Sequence, residues 1–87
     1  MFNLIVLDAA EQDLKSLDKP VAKRIGKRIK WLAENLEHIK PEPLTGEWAR
    51  FFKLRVGDYR VIYKIIHDER LIVIHRIRHR REVYKGK

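Results

Sequence analysis

Residues 52–63 read FKLRVGDYRVIY, and this stretch decides the fold. Two strand-like runs flank Gly57-Asp58, a dipeptide that favours the two-residue turn of a β-hairpin. Pairing the strands around this turn places Arg55 directly opposite Arg60, because the length of the turn sets the register. One face of the predicted hairpin is then apolar and suited to pack on helices, and it carries Phe52, Leu54, Val56, Val61 and Tyr63.

The other face of the hairpin carries three cations, Lys53, Arg55 and Arg60. Two arginines opposite each other on paired strands repel, which lowers stability unless an anion lies between them. The trio therefore favours an anion-binding site. For each residue taken singly, the alternative is a solvated sheet face with long side chains. Asp58 in the turn offers a local carboxylate to one of the arginines.

Helical periodicity precedes the hairpin. A first helix is predicted to open at Asp8, and a second to run from Pro20 to Leu36. The apolar residues of the second helix fall within an arc of roughly 80° at 100° per residue. They are Val21, Ile25, Ile29, Leu32 and Leu36. The two-residue junction between the helices predicts an αα-hairpin, and the apolar run of residues 2–7 predicts a strand buried on both faces.

Strand-like periodicity defines the segments 48–56, 59–66 and 71–77, with residues 38–46 read as a loop. The order β-α-α-β-β-β predicts an α+β fold, with an N-terminal strand, an αα-hairpin and a three-stranded antiparallel meander packed on the helices. A chain of 87 residues is the size of one domain, so residues 1–87 are predicted to form a single unit.

Charge is distributed unevenly along the chain. Residues 1–47 hold eight Lys/Arg and eight Asp/Glu, whereas residues 48–87 hold twelve and four, so the net charge of +8 comes from the C-terminal part. A one-sided positive field favours a phosphate backbone as partner. There is no cysteine for a disulfide or a thiolate metal site. No apolar run approaches the ~20 residues of a membrane helix, and no signal peptide is recognisable, so a cytoplasmic protein without membrane contact is expected.

The basic tail, residues 76–84, reads RIRHRREVY. Continued alternation along the third strand of the meander places Arg78 on the face opposite Arg60. The two arginines converge only if that strand ends or bulges near Ile77. Tyr84 can stack on a nucleobase and also present a hydroxyl group.

The hairpin segment 52–63 and the basic tail 76–84 resemble the RelE/ParE superfamily of toxin–antitoxin toxins, specifically the RelE-like branch that cleaves messenger RNA. Residues 52–63 are similar to the family's K-L-R-x-G-x-Y-R-x-x-Y hairpin, and residues 79–84 to its H-R-R-E-V-Y ending. The β-α-α-β-β-β order also agrees with the family, so the resemblance covers nearly the whole chain.

The resemblance implies a ribosome-dependent endoribonuclease that inhibits translation by cleaving mRNA in the ribosomal A site, without a metal or other cofactor. It also implies a cognate antitoxin that wraps around the toxin in a hetero-oligomer. By motif position, the implied catalytic residues are Lys53, Arg60, Arg78 and Tyr84. The implied RNA-binding residues are Arg55, His79, Arg80 and Arg81. The chain departs from the family at Phe51, where some relatives have a second lysine.

Metal-free RNA cleavage can use the 2′-OH of the substrate as nucleophile, with a base to take its proton and cations to stabilise the charged phosphorane. Lys53 or Tyr84 is the candidate base. Arg60 and Arg78 are expected to hold the phosphate through forked contacts, and Arg78 or His79 to assist the leaving oxygen. His38, His67 and His75 lack metal-ligand spacing, and His75 is interpreted as a structural residue of a strand.

Two other classes of function fit the same sequence. A ParE-like protein shares the fold but inhibits DNA gyrase by binding, which requires no catalytic cations. An RNA-binding module without catalysis fits the charge equally well. Gyrase inhibition with intact messages would favour the first, and RNA binding that survives loss of Arg78 and Tyr84 would favour the second.

Overall fold

The computed structural model describes residues 1–85, and its side chains are described up to Glu82. The helices are α1 (Asp8–Lys15), α2 (Lys19–Asn35) and α3 (Arg80–Lys85). The strands are β1 (Asn3–Val6), β2 (Glu42–Pro43), β3 (Phe52–Val56), β4 (Tyr59–Ile66) and β5 (Leu71–His79). Short 3-10 turns at Leu36–His38, Gly46–Trp48 and His67–Glu69 complete the described chain.

The strands form one sheet in the order β1-β5-β4-β3-β2. The meander β3-β4-β5 is antiparallel, as predicted, and β1 joins its edge parallel to β5. The predicted α+β class and the β-α-α-β-β-β order are confirmed. The predicted loop 38–46 differs in one respect, because Glu42 and Pro43 form the short strand β2 at the other edge.

The core lies between α2 and the sheet face that the hairpin alternation predicted to be apolar. Ile25 and Leu32 of α2 are fully buried against Val61 and Tyr63 of β4, and Ile72 and Ile74 of β5 complete this layer. The apolar arc of α2 is therefore its packing surface, and α2 begins and ends one residue from the predicted limits. We call the opposite face of the sheet the outer face.

The strand predicted over residues 2–7 is present as β1, but the prediction that it is buried on both faces was wrong. All four side chains of β1 are exposed, and Ile5 is 45% accessible. The physical reason is topological: β1 is an edge strand that pairs with β5 alone. A short apolar run is typical of a buried strand, but it carries no signal that would place the strand at an edge.

The register of the meander contains a bulge. On β3 and β4, Arg55 faces Arg60 and Lys53 faces Ile62, as the turn predicted. Between β4 and β5, Ile62 pairs with Arg76 and Tyr63 pairs with Ile74, so His75 is the extra residue. The predicted irregularity exists, but it lies two residues before Ile77. Because of it, Arg78 stands opposite Arg60 on the outer face.

Candidate nucleic-acid interface

Three arginines form a line across the outer face. Arg55 of β3, Arg60 of β4 and Arg78 of β5 are direct cross-strand partners, so their side chains leave the same face of three adjacent strands. We call these three residues the arginine row. The sequence predicted the first pair from the turn alone, and the bulge at His75 adds the third member.

Arg60, at the centre of the row, is held by the backbone of the β3–β4 turn. Its side chain is 7% accessible, and one terminal nitrogen donates to the carbonyl oxygens of Gly57 and Tyr59 at 2.9 Å each. Gly57 adopts φ +58, the left-handed conformation that tight turns require and glycine tolerates. Within the described side chains, Arg60 Nε is buried and has no hydrogen-bond partner. The guanidinium group is therefore fixed in orientation but incompletely satisfied.

The outer members of the row each contact a carboxylate. Arg55 makes a two-pronged ion pair with Glu42 of β2, with both N–O distances at 3.1 Å, and both side chains are exposed. Arg78 lies 3.4 Å from Glu82 of α3. Since exposed pairs of this kind contribute about 1 kcal/mol or less, a bound anion can displace either carboxylate. Lys53 lies two residues from Arg55 on the same face and is half-buried.

The remaining sequence-predicted residues sit around the start of α3 rather than in the row. His79 Nδ1 accepts from the N–H of Arg81 at 3.2 Å, and Glu82 accepts from the N–H of His79 at 3.0 Å. This reciprocal arrangement is a capping box for α3. Arg80 pairs with Asp58 at 3.9 Å, so this carboxylate serves Arg80 and not an arginine of the hairpin face.

Arg81 is exposed on the first turn of α3. Tyr84 belongs to α3, but its side chain lies outside the described residues. The structure therefore brings Lys53, Arg55, Arg60 and Arg78 to one face and gives His79 a role in the backbone geometry of α3. A cleft of about 310 Å³ opens beside Arg78 and His79, between α1 and the end of β5.

Asp13 of α1 anchors the C-terminal half of β5. Its carboxylate accepts from Arg76 at 2.8 and 3.1 Å and from the backbone N–H of Ile77 at 2.9 Å. Burial acts to raise the pKa of Asp13, but the hydrogen bonds from Arg76 and Ile77 and the charges of Arg76 and Arg78 outweigh it, so this pKa is below its ordinary value. Arg76 is thereby held against α1 by its pair with Asp13.

An aromatic cluster that the sequence did not predict lies on the same outer face. The Phe51 ring meets the His75 ring at 4.7 Å and the Trp48 ring at 5.1 Å, both nearly perpendicular. The Lys64 ammonium lies 4.7 Å from the centre of the Phe51 ring. Burial, followed by the charge of Lys64, lowers the pKa of His75, which favours its neutral form. We call these four residues the aromatic cluster. The sequence held one signal for the position of Phe51. It precedes Lys53 by two residues, and residues two apart on a strand lie on the same face.

The part of the chain that the structure describes contains no group of three or more His, Cys, Asp and Glu side chains arranged to hold a metal ion. None of the described helices is long and apolar enough to cross a membrane.

Comparison with known proteins agrees with this architecture. Residues 4–84 match the family described as the ParE toxin of type II toxin–antitoxin systems. The chain is 30% identical to a candidate toxin, RelE1, of Methanocaldococcus jannaschii over 88 aligned residues, which span 98% of this chain and 97% of that protein.

Solved toxins share the fold. The structure is similar to a chain of the RelBE2 toxin–antitoxin complex of Mycobacterium tuberculosis, with a TM-score of 0.78 and 25% identity over 90% of this chain and 96% of that one. It is also similar to the isolated RelE toxin of E. coli, with a TM-score of 0.74 and 17% identity over 91% and 84% of the two chains. This chain therefore belongs to the RelE/ParE family of toxins of type II toxin–antitoxin systems.

Proposed function

We propose that this toxin is an endoribonuclease that cleaves messenger RNA in the ribosomal A site and so inhibits translation. The observation that carries the proposal is Arg60, a buried guanidinium group oriented by two backbone carbonyls at the centre of a row of three arginines. Cations fixed in place before the substrate binds are the means by which enzymes stabilise charge that develops in a transition state.

The proposed chemistry is an internal transfer on the RNA. The 2′-oxygen attacks the adjacent phosphorus as its proton passes to a base, the bond to the 5′-oxygen breaks, and the leaving oxygen takes a proton. The products are a 2′,3′-cyclic phosphate and a 5′-hydroxyl. Arg60 and Arg78 hold the phosphoryl oxygens, and Lys53 or Tyr84 takes the proton. Tyr63 is unsuited as the base, because burial, and then the charge of Glu42, raise its pKa to about 12.

Arg78 is the better candidate to assist the leaving oxygen. His79 was the other candidate, but its Nδ1 accepts a hydrogen bond from the backbone of α3, and its ring packs perpendicular to Tyr59 at 5.4 Å. These contacts support a role for His79 in positioning α3. Arg55, Arg80 and Arg81 are assigned to RNA phosphates around the cut.

A cognate antitoxin is the expected partner, because related toxins have been solved as toxin–antitoxin complexes from Mycobacterium tuberculosis and Pyrococcus horikoshii. We expect an acidic, partly disordered chain that covers the basic outer face. The exposed apolar strand β1 offers a second surface to the same partner, by addition of a strand to its open edge. The toxin and antitoxin are expected to act in the cytoplasm, where ribosomes and messages are.

The second candidate function is inhibition of DNA gyrase by binding, and the observation that favours it is the match to the family described as ParE toxin. Simple RNA binding without cleavage is the third. Neither of these functions requires the preorganised guanidinium of Arg60.

The deciding experiment is message cleavage in a reconstituted translation reaction, mapped by primer extension. The wild type is compared with Arg60→Ala/Arg78→Ala, the outer-face variant, and with Lys27→Ala/Lys30→Ala, a control that removes the same charge from exposed positions of α2. We expect cuts positioned by codon from the wild type and the control, and none from the outer-face variant. A gyrase supercoiling assay runs in parallel.

Intact messages together with inhibited supercoiling would establish inhibition of DNA gyrase as the function. Intact messages, active gyrase and retained RNA affinity would establish a binding module. Equal cleavage by the outer-face variant would show that the chemistry does not use the arginine row.

A further inference from the structure

The aromatic cluster has the composition of a nucleobase-binding surface. The Phe51 ring contacts both the Trp48 ring and the His75 ring, and all three residues are half-buried on the outer face. The main core lies on the other side of the sheet and includes none of them. Aromatic faces accept bases of any sequence, since every base has a π-face, and a neighbouring cation adds attraction for the backbone.

Two local features of the backbone build this cluster. Gly46 adopts φ +66 at the start of a turn in which the N–H of Trp48 donates to Thr45 O at 3.3 Å, and the N–H of Phe51 donates to Trp48 O at 2.8 Å. This turn folds Trp48 back onto Phe51. On the opposite side, the bulge of β5 inserts His75 as an extra residue, which turns its ring toward Phe51.

The cluster and the arginine row lie on one surface. Arg60 and Lys64 are four residues apart on β4 and point to the same face, a separation of about 13 Å along the strand. A single-stranded RNA whose phosphate sits on Arg60 therefore reaches the cluster with a neighbouring nucleotide. The bulge that creates the row also supplies a ring of the cluster, so both features depend on one local irregularity.

His75 adds a means of reading the base as well as stacking on it. Burial, and then the charge of Lys64, lower the pKa of its imidazole and so favour the neutral form. A neutral imidazole has one nitrogen that donates and one that accepts a hydrogen bond. His75 can therefore donate a hydrogen bond to the polar edge of a base that stacks on the cluster, or accept one from it.

We propose that Trp48, Phe51 and His75 form a subsite for one unstacked nucleobase of single-stranded RNA, with Lys64 contacting the phosphate attached to it. The proposal rests on the proposed function in that the same RNA strand crosses the arginine row. It assigns a contact with a base to Phe51, the position where the chain departs from lysine-bearing relatives.

The test is binding of a ten-nucleotide RNA, fully 2′-O-methylated so that it cannot be cleaved, measured by fluorescence anisotropy. A single abasic nucleotide is moved through the oligonucleotide one position at a time. For the wild type we expect one abasic position to weaken binding roughly tenfold, the usual value of a base–aromatic stack. Phe51→Leu keeps an apolar side chain on the sheet but removes the ring, so it should bind every oligonucleotide with the weaker affinity.

Trp31→Leu on α2 is the matched control, because it removes a half-buried ring from the helical side of the molecule. The affinity of Trp31→Leu for the RNA should depend on the abasic position as that of the wild type does. Thermal melting of each variant confirms that it is folded. His75→Asn keeps hydrogen bonding without the ring and should resemble Phe51→Leu.

A folded Phe51→Leu protein that retains the wild-type dependence on abasic position would overturn the proposal, and so would equal losses at all positions in the wild type. The outcome is separable from that of the proposed function. If binding by the wild type depends on the abasic position but messages stay intact, the subsite is supported and the nuclease function is excluded. If messages are cleaved but binding does not depend on the abasic position, the nuclease function is supported and the subsite is excluded.

Discussion

Arg60 combines features that favour function and oppose stability. Among the described residues it is the charged side chain that folding buries, and its Nε lacks a partner. A buried charge that is only partly hydrogen-bonded costs free energy, and its replacement by an apolar side chain of similar size is often neutral or stabilising. Its retention is understandable if the site needs a guanidinium group held in one orientation.

We therefore expect Arg60→Met to keep or raise the melting temperature and to reduce message cleavage by at least about 100-fold, the usual loss for a preorganised donor. Melting by circular dichroism and primer extension measure the two effects on the same preparation. Arg60→Lys is the control, since it keeps the positive charge but lacks the planar guanidinium group that makes two-pronged contacts with a phosphate. Cleavage close to wild type by Arg60→Met would exclude Arg60 from the chemistry.

At the scale of elements, two devices align the sheet with the helices. The bulge at His75 moves Arg78 to the outer face, and Asp13 of α1 binds the strand just beyond that bulge through Arg76 and Ile77 N–H. Without Asp13, the backbone N–H of Ile77 loses its partner in a partly buried place. A lost partner of this kind costs about 1–3 kcal/mol.

The Asp13→Asn variant keeps one oxygen that can accept from the Ile77 N–H but loses the charged, two-pronged pair with Arg76. It should be destabilised at pH 7 by about 1–3 kcal/mol in urea unfolding, because hydrogen bonds to a charged group are the stronger ones. The folded pKa of Asp13 lies below its ordinary value, so the ionised carboxylate stabilises the fold above about pH 4 and loses this effect as the pH falls through the folded pKa. The difference between wild type and Asp13→Asn should shrink on acidification. A difference that is the same at pH 7 and pH 3 would contradict this assignment.

The bulge illustrates a limit of sequence reasoning. Alternation continued beyond the predicted strand 71–77 placed Arg78 on the wrong face, and the requirement that it meet Arg60 indicated an irregularity near Ile77. Its position at His75 follows from contacts that are distant in sequence, namely Phe51 on one side and Asp13 on the other. The register of β3 with β4, by contrast, was correct throughout because a two-residue turn determines it locally.

At the scale of the whole molecule, the surface divides into a cationic outer face and an apolar edge. Exposed large apolar side chains concentrate at the N-terminus, with Met1, Leu4, Ile5, Val6 and Leu7 all at least 36% accessible. An apolar edge strand with open backbone groups is a template for pairing with another strand. The free toxin is therefore expected to self-associate unless a partner covers this edge.

We expect Ile5→Lys to raise the concentration at which the purified toxin aggregates, while message cleavage stays unchanged. Light scattering across a concentration series measures the first effect. Ile66→Lys is the matched control, because Ile66 is similarly exposed, at 39%, but lies on β4, which β5 separates from the open edge of β1. Equal improvement by both variants would indicate general solubility and not a specific edge.

The sequence by itself determined the order of elements, the hairpin register and the pairing of Arg55 with Arg60, since these depend on local periodicity and on one glycine-containing turn. Only the tertiary structure decided that β1 lies exposed at an edge, that Glu42 and Glu82 contact the arginine row, and that Phe51 meets His75. Those features join residues up to about seventy positions apart, and they follow from how strands and helices pack rather than from the pattern within any one of them.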